Sequence, residues 1–200
     1  MESGRLQAFS DGVLAVIITV MVLELKVPDG FGWADLAGSG LGFLTYLLSF
    51  VYVGIYWSNH HHLFQVADRV DGAVLWANLH LLFWLSLFPF STAWLDDSGV
   101  ALVPTVVYGL NLLCAAVAYY LVQWTIFRLP SVGERLRAVL GRDLKGKISP
   151  AFYLLGIALA YVEPWLGEVL YVAVALAWLV PDRRVERYLE SQGPAGTVGE

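Results

Sequence analysis

Apolar residues along this chain fall in long blocks divided by short polar breaks. The first block runs from Phe9 to Val27 and is closed by Pro28-Asp29-Gly30. The second runs from Leu36 to Trp57 and ends in Ser58-Asn59-His60-His61-His62. The third covers Ala73 to Leu95 and stops at Asp96-Asp97, and the fourth covers Val100 to Phe127. A basic segment, Arg128 to Lys147, precedes a fifth block from Ile148 to Val162, which Glu163-Pro164 divides from a sixth, Trp165 to Val180. A bilayer core about 30 Å thick needs about 20 apolar residues in a helix. The pattern therefore predicts membrane helices at about 8–27, 36–58, 73–95, 100–127, 148–162 and 165–180. The last two are short, so two thin spans and one re-entrant hairpin both fit the blocks. No ten-residue alternation points to a barrel, and backbone groups in lipid must bond internally, so the expected class is all-α.

Composition and charge sharpen this picture. Hydrophobic residues make up 58% of the chain and charged ones 14%, against about 25% charged in a typical soluble domain. The net charge of -5 says less than its placement. With the N-terminus inside, the inner loops hold Arg5, Arg69, Arg128, Arg135, Arg137, Arg142, Lys145, Lys147, Arg183, Arg184 and Arg187, and the outer loops hold only Lys26. That asymmetry favours six spans with both termini cytoplasmic. Residues 1–182 then form one six-helix transmembrane unit, with 183–200 a flexible cytoplasmic tail. The first block reads as a retained helix, not a cleaved leader. The outer side carries Asp29, Asp35, Asp96, Asp97, Glu163 and Glu168. These would concentrate cations at a pore mouth, or simply collect where basic residues are excluded. Leu136, Val139, Leu140 and Leu144 recur at helical spacing among basic residues, as in an amphipathic surface helix or an extension of the fourth span.

The first helix has separable faces. Val16, Val20, Leu23 and Val27 form one stripe, which Gly12 and Val13 extend, and Thr19 lies beside it. Asp11, Ile18, Val22 and Leu25 lie on the opposite side. An aspartate at the start of a membrane helix needs a partner or a function. Ser10 or Asp11 could cap the helix, or Asp11 could bond to polar groups on neighbouring helices.

The run Arg5-Leu-Gln-Ala-Phe9-Ser10-Asp11, followed by Gly-Val-Leu-Ala-Val-Ile-Ile-Thr-Val-Met-Val-Leu-Glu-Leu, resembles the opening of the lysosomal potassium channel family of the transmembrane protein 175 type, in its bacterial six-helix form. That family carries an Arg-x-x-x-Phe-Ser-Asp signature, matched here by Arg5, Phe9, Ser10 and Asp11. The resemblance implies a homotetramer in a bacterial inner membrane, with the four first helices lining a central pore. It implies an apolar constriction at Val16, further apolar layers at Val20 and Leu23, and a selectivity role for Thr19. It also implies a helix-anchoring network in which His61 or His62, with Asn78, bonds to the signature residues. A titrating histidine there would make opening sensitive to pH. The expected partners are potassium ions, the bilayer and three further copies of the chain; no cofactor, metal or nucleic-acid partner is expected.

Other chemistry is thinly represented. Three consecutive histidines cannot share a helix face, whereas helical metal pairs favour spacings of three or four. Cys114 is alone, so no intrachain disulfide forms. Trp57, Trp94, Trp124, Trp165 and Trp178 sit near block ends, as interfacial anchors do. There is no Thr-Val-Gly-Tyr-Gly filter, so a carbonyl ring cannot supply selectivity; an apolar constriction would favour the more easily dehydrated ion only weakly to moderately. A proton-conducting pore is the nearest alternative. A secondary transporter would rest on breaks at Pro89 and Pro104, and a membrane enzyme lacks any His-Glu-x-x-His or Gly-x-Ser-x-Gly run.

Overall fold

A computed structural model describes residues 3–67, 70–129 and 144–179. Among these residues all regular structure is helical: α1 (Ser3–Leu23), α2 (Trp33–Gly38), α3 (Gly40–Val66), α4 (Gly72–Ser86), α5 (Phe88–Asp97), α6 (Leu102–Phe127), α7 (Leu144–Ala160) and α8 (Pro164–Leu179). Four stretches are long and apolar enough to cross a membrane: Ser3–Leu23, Gly40–Gln65, Gly72–Asp97 and Leu102–Phe127.

The third of these stretches is two helices in line. Pro89 lies in the first turn of α5, where a missing N–H costs least. The chain tightens just before it, with the Leu87 N–H donating to the Trp84 carbonyl at 3.2 Å. Pro104 interrupts nothing, because it sits in the first turn of α6. The α5–α6 corner turns at Gly99, whose φ of +62° suits a residue without Cβ. Its N–H donates to the Asp96 carbonyl at 2.9 Å, and the Val100 N–H reaches the Leu95 carbonyl at 3.2 Å. Val100 itself takes φ +65°, a costly conformation for a β-branched residue. Its side chain is buried, and the packing holds it there.

α6 is the central element, packed on α4, α5, α7 and α8. The interior around it is aromatic: Tyr52, Phe88, Tyr108 and Tyr171 are all fully buried. The tyrosine hydroxyls are engaged, as buried polar groups require. The Tyr52 hydroxyl donates to the Tyr171 carbonyl at 2.6 Å. Ser49 joins Thr92 at 2.6 Å and Tyr108 at 2.9 Å. α7 and α8 form a tight hairpin at Gly156 and Gly167, where a Cβ on Gly167 would meet the Gly156 carbonyl oxygen. α1 packs chiefly on α3, α4 and α5.

Several boundaries differ from the expected ones. α1 begins at Ser3 and ends at Leu23, so the signature lies inside the helix and not at its mouth. α3 continues through the histidines to Val66. The short α2, Trp33–Gly38, falls in the expected loop and at the start of the expected second span; Asp35 closes its N-terminus by accepting from the Gly32 N–H at 2.9 Å. α7 opens at Leu144, before the expected Ile148. Most of the basic segment with its apolar spacing, and the expected tail from 183, lie outside the described residues.

Candidate functional site

α1 packs through one narrow stripe: Ser3, Leu6, Ser10, Leu14, Ile17 and Met21 are buried, at spacings of three and four. The other side of the helix is uncovered in the single chain. Val16 is 60% exposed and Leu23 81%, with Val20, Thr19 and Gly12 also exposed. A helix that leaves so much apolar surface bare is built to meet something else. Thr19 adds a polar group there, and its hydroxyl proton is held by the Val16 carbonyl at 2.8 Å. That bond leaves the oxygen's lone pairs facing outward as acceptors.

Beside this face runs a groove of roughly 1130 Å³ between α1 and α5. Phe9, Gly12, Val13, Val16 and Val20 form one wall, and Pro89, Phe90 and Trp94 the other. Glu24 and Asp97 also line it. Asp97 also accepts from Lys26 at 2.6 Å, tying the segment after α1 to the end of α5. The hydrogen bond to Asp97 raises the Lys26 ammonium above its ordinary range. The bridge therefore persists through neutral pH and is lost only as the pH climbs past that raised value.

The buried stripe carries a polar anchor. Ser10 is fully buried and donates to the Leu6 carbonyl at 2.9 Å, one turn back in its own helix. Its oxygen accepts from Asn78 Nδ2 at 2.9 Å. Asn78, fully buried on α4, turns its Oδ1 to His60 Nε2 at 2.8 Å. Because Nδ2 points to Ser10, the Asn78 oxygen can only accept, so His60 donates from Nε2. The directions thus assign one tautomer and link α3, α4 and α1 in a single chain of bonds. Asp11, one residue on, lies outside the stripe and accepts from Trp57 Nε1 on α3 at 3.0 Å.

This arrangement corrects three expectations. Neither Ser10 nor Asp11 caps the helix: Ser10 bonds back to i−4, and of the two roles open to Asp11 the bond to a neighbouring helix is the one formed. The histidine bonded to Asn78 is His60, whereas His61 stacks on Trp57 at 6.0 Å between ring centroids and meets Gln65 at 2.8 Å. Trp57 is more than an interfacial ring, since it holds the signature aspartate. Arg5 and Phe9 are exposed, and neither joins the Ser10–Asn78 chain. His60 had a signal in the sequence: the buried stripe of α3, Tyr52, Val53, Tyr56, continues at helical spacing to His60, Leu63 and Phe64. Assuming that the helix stopped at Trp57 hid it.

Among the described residues, an all-helical fold with four apolar stretches of membrane length, one of them anchored on one side and bare on the other, defines a polytopic membrane protein. A family model described as the endosomal/lysosomal potassium channel TMEM175 matches residues 5–89, which include α1 from Arg5 onward and its anchor. A potassium channel of Chryseobacterium sp. (strain P1-3) is 50% identical over 190 residues, 95% of this chain and 99% of its own. The crystal structure of a lysosomal potassium-selective channel TMEM175 homolog from Chamaesiphon minutus matches with a TM-score of 0.74 and 30% identity, over 89% of this chain and 96% of that one. The endosomal/lysosomal proton channel TMEM175 of Mus musculus is 28% identical over 172 residues, 80% of this chain but 34% of its own. The chain belongs to the TMEM175 family.

Proposed function

We propose that this protein is a potassium channel of the bacterial inner membrane, and that four copies assemble with their α1 helices around a central pore. The observation that carries this reading is the bare face of α1, with Val16, Thr19, Val20 and Leu23 turned away from the helix's own packing. In this arrangement Val16 forms the main constriction and Val20 and Leu23 form further apolar rings. Such rings exclude water when narrow and pass partly dehydrated ions when wide. Potassium sheds water more readily than sodium, so the pore favours it weakly to moderately. Thr19 offers outward lone pairs to the passing ion. The Ser10–Asn78–His60 chain holds α1 at a fixed rotation, which keeps the same face toward the axis.

The full subunit has six spans in this reading. α7, with 17 residues, and α8, with 16, reach about 25 Å each at 1.5 Å per residue. They cross by local thinning or by taking in flanking residues. Both termini then lie in the cytoplasm, with Lys26 and Asp97 at the outer mouth. The relatives described as potassium channels support the choice of ion. A proton-conducting variant of the same pore has support in the mouse relative, described as a proton channel. Purified protein in a planar bilayer with potassium on one side and sodium on the other separates these readings. A reversal potential favouring potassium is expected; equal permeation of both ions would count against the selectivity, and a reversal set by the pH gradient alone would favour protons.

A further inference from the structure

Polar groups hold α1 at two levels. Near its start, Ser10 is tied through Asn78 to His60, a chain of bonds closed to solvent. Past its end, Lys26 Nζ meets Asp97 Oδ1 at 2.6 Å, on the last turn of α5. Leu23, where α1 stops, is thirteen residues beyond Ser10, about 20 Å at the helical rise. Between the two levels the packed side of α1 is an apolar ridge of Leu14, Ile17 and Met21. Apolar burial is non-directional, so such a ridge lets a helix roll or tilt on its neighbours. The polar grips at either end fix the angle.

The two grips differ in kind. The Ser10 grip is buried and neutral, out of reach of dissolved ions. The Lys26 and Asp97 side chains are 68% and 54% exposed, so salt screens their attraction. The α5 side of this pair is firm. Thr92 of α5 joins Ser49 of α3 at 2.6 Å, and Asn111 of α6 donates from Nδ2 to Ser91 of α5 at 3.2 Å. α5 is therefore the post, and the end of α1 is the part that shifts against it. The groove between the two helices reaches Glu24 and Asp97 at this end, so the ion pair bridges a gap and not a packed contact. Lys26 has a second effect there. Glu24 and Asp97 line the same groove, and Asp96 is near enough to act on Lys26. Without the ammonium these carboxylates repel one another.

We propose that Lys26 and Asp97 form an ionic clasp that sets the position of the Leu23 end of α1 independently of the Ser10 anchor, and that the salt concentration at that surface regulates it. The clasp belongs to the single subunit and stands whether or not α1 lines a pore. Only its bearing on conduction, through the Leu23 ring, rests on the function proposed above.

The test is amide hydrogen exchange by mass spectrometry on the full-length protein in detergent. Wild type is compared with Lys26→Gln, Asp97→Asn and the exchanged pair K26D/D97K. The Debye length falls from about 10 Å at 0.1 M salt to about 3 Å at 1 M, so each protein is measured at both. The informative residues are 21–27, where the Glu24 and Leu25 N–H groups bond to the Val20 and Val22 carbonyls. K26Q should raise exchange there by about two- to fivefold, the range that exposed ion pairs support. Residues 6–14 and α5 should keep their wild-type rates. D97N should give a smaller rise, because it removes a repelling carboxylate together with the attraction. The exchanged pair should return the rates toward wild type. Salt should raise exchange in the wild type, where it screens an attraction, and lower it in K26Q, where it screens a repulsion. Equal exchange in wild type and K26Q, a rise spread along the whole of α1, or salt shifts of the same sign in both proteins would overturn the proposal. Bilayer recordings of the same variants keep the two readings apart: altered exchange with wild-type gating supports the clasp and counts against α1 as the pore helix.

Discussion

Replacing Asn78 by alanine tests the anchor that sets the rotation of α1. The side chain is fully buried and makes two hydrogen bonds, from Nδ2 to Ser10 at 2.9 Å and from His60 Nε2 to its Oδ1 at 2.8 Å. Removing it takes away both and strands the His60 N–H in a closed interior. Ser10 suffers less, because its proton still reaches the Leu6 carbonyl. A net hydrogen bond is worth about 1 kcal/mol and an unsatisfied buried donor costs about 1–3 kcal/mol. Interhelical bonds measured in a membrane protein average nearer 0.6 kcal/mol. The expected loss is therefore about 2–4 kcal/mol, a drop of roughly thirty- to a thousand-fold in the folded-to-unfolded ratio. The assay is equilibrium unfolding in detergent, paired with Ser86→Ala, where an exposed hydroxyl bonded to the Phe83 carbonyl is lost at little cost. A double-mutant cycle with Ser10→Ala should return a coupling of about 0.5 kcal/mol or more. If Asn78→Ala is no more costly than Ser86→Ala, or the cycle shows no coupling, the anchor does not hold α1.

Two further outcomes follow from the packing. Trp57→Phe removes the donor to Asp11 in a largely exposed setting, so the loss should be about 1 kcal/mol or less; faster amide exchange near Asp11, read by mass spectrometry, is the signature to look for. Gly109→Ala drives a Cβ into the Tyr171 ring and should cost about 1–3 kcal/mol in thermal unfolding, whereas Gly54→Ala meets open space and should be neutral or mildly stabilising; equal effects of the two would contradict the close seating of α8 on α6.

The apolar blocks were legible because membrane helices must be long and apolar, and each block has a helix within it. Their ends were less so, for a physical reason. Ser10 is polar, yet it satisfies its proton on the Leu6 carbonyl and can sit deep inside a helix. His60 satisfies itself on Asn78, so the polar run after Trp57 did not have to end α3. Periodicity set the Val16 stripe apart as an unpacked face, but it misplaced the packed one: the buried stripe is Leu6, Ser10, Leu14, Ile17 and Met21, whereas Asp11 and Val22 on the expected inner side are exposed. The partner of Asn78 was not readable, since which of three adjacent histidines points inward depends on where the helix ends and on what α4 presents.

The claim on which the account turns is that the Val16 face of α1 surrounds the ion path. Its most direct test is single-channel recording from reconstituted Val16→Ala and Val16→Phe proteins, each first shown to be folded and assembled like the wild type. The account predicts that alanine widens the narrowest ring, raising conductance and lowering the preference for potassium over sodium, and that phenylalanine reduces or abolishes current. Wild-type conductance and selectivity in both variants would contradict it and remove Val16 from the pore.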